Sequence, residues 1–182
     1  MKSPLIVNLA GAPGAGKSTG AAYIFYKLKA AGVNAELITE FAKDKTWEHN
    51  DVALSTQIYI LGKQYYRLAR CMDQVDVIVT DSPILLSILY GEHCFYSSEM
   101  SSLVKKLWKE NNNLLYFIDR VKKYNPAGRS QTAEESDALS IKLKTLLRDN
   151  DFEYKEYPGS IEGYDIIVND ILDKLDIMKV MR

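Results

Sequence analysis

With 182 residues, 47% of them hydrophobic, the chain is long enough to enclose one well-packed core and too short for two ordinary domains. Lys and Arg number 23 against 24 Asp and Glu, so a net charge of -1 offers no global basic field and argues against nucleic acid as the main partner. No apolar run approaches the ~20 residues that span a bilayer, and the N-terminus shows no long apolar core before a cleavage site, so a cytoplasmic protein without membrane association is expected. Cys71 and Cys94 lie far apart without metal-ligand spacing and read as free thiols in a reducing compartment.

The apolar run Leu5 to Leu9 reads as a strand and gives way to G-x-x-x-x-G-K-S, with Gly11, Gly16, Lys17 and Ser18 in the fixed positions. Glycines at 11, 14 and 16 can take backbone angles closed to other residues, so successive N–H groups point inward around a polyphosphate. A helix starting near Lys17 aims its N-terminal dipole at the same anion; the Lys17 ammonium reaches the terminal phosphates, and the Ser18 hydroxyl suits Mg²⁺.

Ala21 to Ala31 has helical apolar spacing, and Gly32 stands where a left-handed cap is expected. Ala35 to Thr39 is a short strand followed by Glu40, Phe41, Ala42 and Lys43. Residues 51 to 72 read as one long helix, in which Gly62 permits close packing. Val75 to Thr80 is a buried parallel strand ending in Asp81-Ser82-Pro83, and Pro83 begins the helix Ile84 to Tyr90. Ser97 to Glu110 is a helix broken by Asn111 to Asn113, and Leu114 to Ile118 is the fourth strand. The polar stretch Arg120 to Ser136 reads as a surface lid, after which Ser136 leads a helix to Arg148. Phe152 to Tyr157 alternates aromatic and charged residues, as a half-exposed edge strand does, and Ser160 caps a final amphipathic helix running to about Met178.

Strands alternating with helices imply an α/β fold, a five-stranded parallel sheet flanked by helices, in a single domain over residues 1–182. Ligands in such sheets bind at the carboxyl ends of the strands, which carry Gly11 to Thr19, Glu40, Asp81 and Ser82, Asp119 and Arg120, and Pro158 to Ser160. Asp81 stands where a carboxylate holds Mg²⁺, directly or through water, and Glu40 emerges beside the loop, where it can take a proton from an attacking hydroxyl. On the lid, Arg120, Lys122, Lys123 and Arg129 can neutralise a moving phosphoryl group; Arg129 is the stronger candidate and Arg120 follows. His49 and His93 have no matching ligands, so no metal other than Mg²⁺ is expected.

These residues resemble the P-loop nucleoside and nucleotide kinases. In the deoxynucleoside kinase branch a Glu after strand two acts as base, a Trp follows, a Gln on the next helix reads the nucleobase, and an acidic residue plus Ser closes strand three. Glu40, Trp47, Gln57 and Asp81-Ser82 stand at matching places. The usual Glu-Arg-Ser is here Asp81-Ser82-Pro83, so the arginine is missing and the base role stays open between Glu40 and Asp81. Glu40-Phe41-Ala42 is also similar to small ATP-binding proteins related to nicotinamide riboside kinase, many of them phage-encoded.

The resemblance implies a P-loop NTPase fold of kinase-type strand order and ATP with Mg²⁺ as cofactors. Gly11, Ala12, Pro13, Gly14, Ala15, Gly16, Lys17, Ser18, Thr19, Pro158 and Gly159 would hold ATP, with Ser18 and Asp81 on Mg²⁺. Glu40, Trp47, Gln57, Asp81 and Ser82 would meet a small nucleoside or nucleotide. The alternative is a kinase acting on DNA, at a 5′ end or at hydroxymethyluracil in phage DNA modification, with Lys105, Lys106, Lys122, Lys123 and Arg129 as its basic track. A non-transferase ATPase or switch is the third reading, disfavoured by the lack of a guanine-reading N-K-x-D set. The long helix 51–72 leaves a homodimer open.

Overall fold

The computed structural model describes residues 3–125 and 132–180, with side chains to residue 176 in the second stretch. The elements in chain order are β1 (Leu5–Ala10), α1 (Lys17–Ala30), β2 (Ala35–Ile38), α2 (Phe41–Trp47), α3 (Asp51–Ser55), α4 (Gln57–Ala69) and β3 (Val77–Thr80). They continue as α5 (Leu86–Tyr90), α6 (Ser97–Lys109), β4 (Asn112–Asp119), α7 (Ala133–Asp149), β5 (Lys155–Pro158) and α8 (Ile161–Val180). All strand pairs are parallel, and the sheet runs β2-β3-β1-β4-β5.

Strands buried on both faces are continuously apolar, and β1 is buried at every residue. Its alternate side chains feed two cores. Leu5, Val7 and Leu9 meet Ile24 and Leu28 of α1 and Ile167, Val168 and Ile171 of α8. Ile6 and Ala10 point the other way, into a core with Leu61 and Leu68 of α4, Met100 and Val104 of α6, and Leu143 and Leu147 of α7. Each fully buried aliphatic side chain contributes roughly 1.5–3 kcal/mol, so the central strand is the best-anchored part of the fold. Because β1 lies between β3 and β4, the loop that follows it is held between the carboxyl ends of both neighbours.

Five sequence expectations need correction. The long helix 51–72 is two helices, α3 and α4, separated at Thr56, whose backbone (φ -93, ψ 78) is not helical. The hydroxyls of Ser55 and Thr56 both donate to the Val52 carbonyl, at 3.1 and 2.7 Å, and side-chain bonds of this kind compete with the helix ladder. Gly62 does not serve close packing, for a Cβ there would meet nothing within 4 Å. Asn112 and Asn113 belong to β4 rather than ending a helix, in register with Leu5 and Ile6. Asn113 is satisfied there: its Oδ1 accepts from Asn8 at 3.0 Å and its Nδ2 donates to the Trp108 carbonyl at 2.8 Å. The helix after the lid starts at Ala133, before Ser136, because Thr132 and Glu135 form a capping box. Finally, α5 starts at Leu86, with Pro83 in the turn before it.

Elsewhere the boundaries move little. Gly32 has φ +78 at the end of α1, and β5 is the edge strand, shortened to Lys155–Pro158. Ser160 accepts from the Gly163 amide at 3.3 Å as α8 begins. Among the described residues no helix is long and apolar enough to cross a membrane.

Candidate functional site

The site is built around the turn from β1 into α1. Gly11, Gly14 and Gly16 have φ of 144, 81 and 105, which lets the loop curl with its amides inward. At Gly16 two constraints meet: positive φ, and a Cβ that would lie 2.5 Å from the Tyr164 hydroxyl. That hydroxyl donates to the Gly16 carbonyl at 3.0 Å, so α8 braces the loop from behind. On the other flank Ser136 of α7 donates to the Pro13 carbonyl at 2.8 Å. Lys17 Nζ donates to the carbonyls of Gly11 at 2.8 Å and Ala12 at 3.1 Å, arching over the loop it belongs to.

A cavity of about 420 Å³ opens from this loop. It is lined by Gly11, Pro13, Gly14, Gly16, Lys17, Ser18 and Thr19 of the loop and the start of α1, and by residues of α2 to α5, among them Thr46, Gln57, Gln64, Ser87 and Tyr90. Glu40, at the turn between β2 and α2, and Ser82, just after β3, also line it.

Glu40 occupies the N-cap position of α2 but makes no side-chain cap bond, leaving its carboxylate on the cavity wall. Burial pushes its carboxyl above the ordinary value, Lys17 pulls the other way, and the Asp81 carboxylate adds to the rise. Asp81 is 3% exposed, and its Oδ1 has no hydrogen-bond partner among the described residues. Tyr90 is 43% exposed as a residue, yet desolvation and then the Glu40 charge push its phenol up to about 12.

Of the residues expected from sequence, Gly11 to Ser18, Thr19, Glu40, Gln57 and Ser82 surround or adjoin this cavity, while the buried Asp81, which precedes Ser82 in the chain, is not among the lining residues. Ala12 and Ala15 are buried in the loop's underside. Pro158 and Gly159 sit behind the loop and do not line the cavity: the Gly159 amide donates to the Asp119 carbonyl at 2.8 Å, and a Cβ on Gly159 would collide with the Ala15 carbonyl. Trp47 is 62% exposed and outside the lining. Arg120 is not among the lining residues either: it pairs with Asp137 of α7, lies 5.3 Å from the Tyr124 ring centre, and donates at 3.5 Å to the Ser136 hydroxyl that holds Pro13 of the loop. Arg129 lies outside the described residues, as does the middle of the lid.

Lys43, Thr46, Gln64, Ser87 and Tyr90 line the cavity and were not singled out from sequence. A signal existed for Gln64: it lies seven residues after Gln57, two turns along one helical face. For Tyr90 there was none beyond its place on the helix after Asp81-Ser82-Pro83.

A parallel sheet in this order, with a glycine-rich anion loop leaving its central strand into a helix, is the P-loop fold of the nucleoside kinases. Residues 6–163 match the family described as an AAA domain, and the chain belongs to that family. Among solved structures it is similar to deoxyadenosine kinase from M. mycoides with bound dATP, at 17% identity and a TM-score of 0.58, covering 94% of this chain and 99% of that one. No curated protein matches the sequence.

Proposed function

We propose that the protein is an ATP- and Mg²⁺-dependent phosphotransferase, acting as one domain on a hydroxyl or phosphate of a nucleoside, nucleotide or related metabolite. The observation that carries this reading is the lining of the cavity: beside the phosphate loop its walls carry the side chains of Glu40, Gln57, Gln64 and Tyr90. Its volume, about 420 Å³, lies within the range of small-ligand pockets, roughly 300–1,000 Å³.

The residues present fit the cofactor. Inward amides and Lys17 suit a polyphosphate, and the Ser18 hydroxyl with the partnerless Asp81 oxygen supplies the hard oxygen donors that Mg²⁺ prefers. A buried carboxylate oxygen without a partner is costly, and a cation relieves that cost. When bound, ATP-Mg²⁺ would supply the phosphoryl group and the metal's charge. The loop amides and Lys17 orient the phosphates, Ser18 and Asp81 hold the metal, and Glu40 accepts the proton from the acceptor hydroxyl. Gln57 and Ser82 border the acceptor.

Burial suits Glu40 to this task, because a carboxyl held above its ordinary value is a stronger base at the pH where it is ionised. The test is ATP consumption by purified protein with and without candidate acceptors. Several-fold stimulation by one nucleoside-type compound supports the reading; consumption indifferent to every acceptor contradicts it. Comparing Glu40→Gln with Asp81→Asn assigns the roles. Surviving ATP-Mg²⁺ affinity in the first and lost affinity in the second support Glu40 as the base and Asp81 as the metal ligand, and the reverse pattern exchanges them.

A further inference from the structure

The peptide groups on either side of Glu40 are held by one side chain from another helix. Gln64 of α4, only 3% exposed, accepts the Phe41 amide hydrogen on its Oε1 at 2.9 Å and directs its Nε2 to the Thr39 carbonyl at 3.4 Å. Phe41 N–H is the first amide of α2, one of the donors that a helix start leaves unpaired, and an N-cap side chain ordinarily reaches the second or third amide instead. Here the N-cap residue is Glu40, and its side chain makes no such bond. One turn further along α4, Arg67 also donates to the Thr39 carbonyl, at 3.0 Å, and pairs with Asp44 of α2.

We infer that Gln64 is a positioning residue for Glu40: by holding the peptide groups on both sides of it, Gln64 fixes the corner that carries the Glu40 carboxylate on the cavity wall. The inference rests on the proposed function only in giving Glu40 a catalytic task. Groups facing that carboxylate are Lys17 from α1, Asp81 after β3, Lys43 and Asp44 of α2, and Tyr90 of α5. Burial is what chiefly raises its carboxyl, with Asp81 and Asp44 adding and Lys17 and Lys43 opposing, so a corner that loosens towards water should let it fall.

The test is Gln64→Met, which keeps length and packing and removes both bonds. Glu40 is titrated by carboxyl-carbon NMR, its signal assigned with Glu40→Gln, and kcat and KM are measured with ATP-Mg²⁺ and an acceptor. We expect the Glu40 pKa to fall towards the ordinary carboxylate value and kcat to drop roughly 10- to 100-fold, the scale of a small misplacement of a reacting group, with the KM for ATP changed less than about twofold. Gln64→Glu retains the acceptor for the Phe41 amide and should recover part of the lost kcat. An unmoved Glu40 titration overturns the inference. So does a rise in acceptor KM alone, because Gln64 borders the cavity and would then be a direct contact.

A measurement on the wild-type protein decides the matter even if the methionine variant does not fold. The Phe41 amide must be protected from hydrogen exchange, and exchange at the free-amide rate overturns the assignment. A wild-type protein that phosphorylates no acceptor would sink the proposed function, while the titration and exchange readings would still judge Gln64.

Discussion

At the scale of single residues, Lys17 and Glu40 bring opposite charges to one cavity. Lys17 donates to the carbonyls of Gly11 and Ala12, which hold its ammonium over the loop. Lys17→Ala should therefore keep the fold and lower turnover by roughly 10²- to 10³-fold, the typical cost of one preorganised electrostatic contact. Circular dichroism together with turnover checks this, and activity near that of the wild type would count against the loop's assigned role. Glu40 makes the complementary case. Burial favours its neutral form, so the folded chain keeps a proton that the unfolded chain has released. Its contribution to stability is fully present below the ordinary carboxylate value and is lost as pH climbs through the raised value. Glu40→Gln, which removes the buried charge, should raise Tm at neutral pH, with the gain shrinking to nothing at acid pH. Thermal melts across pH 3 to 8, on the order of the carboxylate range and beyond, read this directly.

At the scale of elements, the loop depends on helices far away in sequence. Tyr164 of α8 donates to Gly16 and is 2% exposed, so Tyr164→Phe leaves a loop carbonyl without that partner. We expect about 1 kcal/mol of lost stability, measured by denaturant unfolding, together with weaker ATP binding. A variant as stable as the wild type would show that the brace contributes nothing. The strands, the loop and the first helix were legible in the sequence because their signals are local: apolar runs such as Leu5 to Leu9, and glycines at fixed spacing. The α3–α4 break was not legible, since the apolar periodicity runs on through Thr56, and only side-chain bonds to the Val52 carbonyl reveal the interruption. The start of α7 was missed for a different reason: the Thr132 and Glu135 capping pair was present in the sequence, but it lay within a polar stretch read as lid. Topology put Glu40 and Ser82 at strand ends that line the cavity, but also Pro158, Gly159 and Arg120, which do not. Gln64 and the pairing of Arg120 could not be read from sequence, because their partners, Phe41 and Asp137, are tertiary neighbours.

At the scale of the whole molecule, two cores clamp one sheet, and the cavity opens at the carboxyl ends of its strands. A ligand that binds only the folded state stabilises it by mass action, about 2.7 kcal/mol at a concentration one hundred times Kd. For a chain of this size that corresponds to a rise in Tm of roughly 5–10 °C with ATP and Mg²⁺. Adding EDTA should remove a large part of the rise if Ser18 and Asp81 hold the metal, and an unchanged rise would argue against that pair. The central claim is that the cavity joins a donor to an acceptor, and the most direct test is transfer of labelled γ-phosphate from ATP to a panel of acceptors. The panel holds free nucleosides, nucleoside monophosphates, nicotinamide riboside, and DNA with and without hydroxymethyluracil. Label on a small nucleoside-type molecule, abolished by Lys17→Ala, is the predicted result. Label released only as inorganic phosphate, or retained only on DNA, would contradict it.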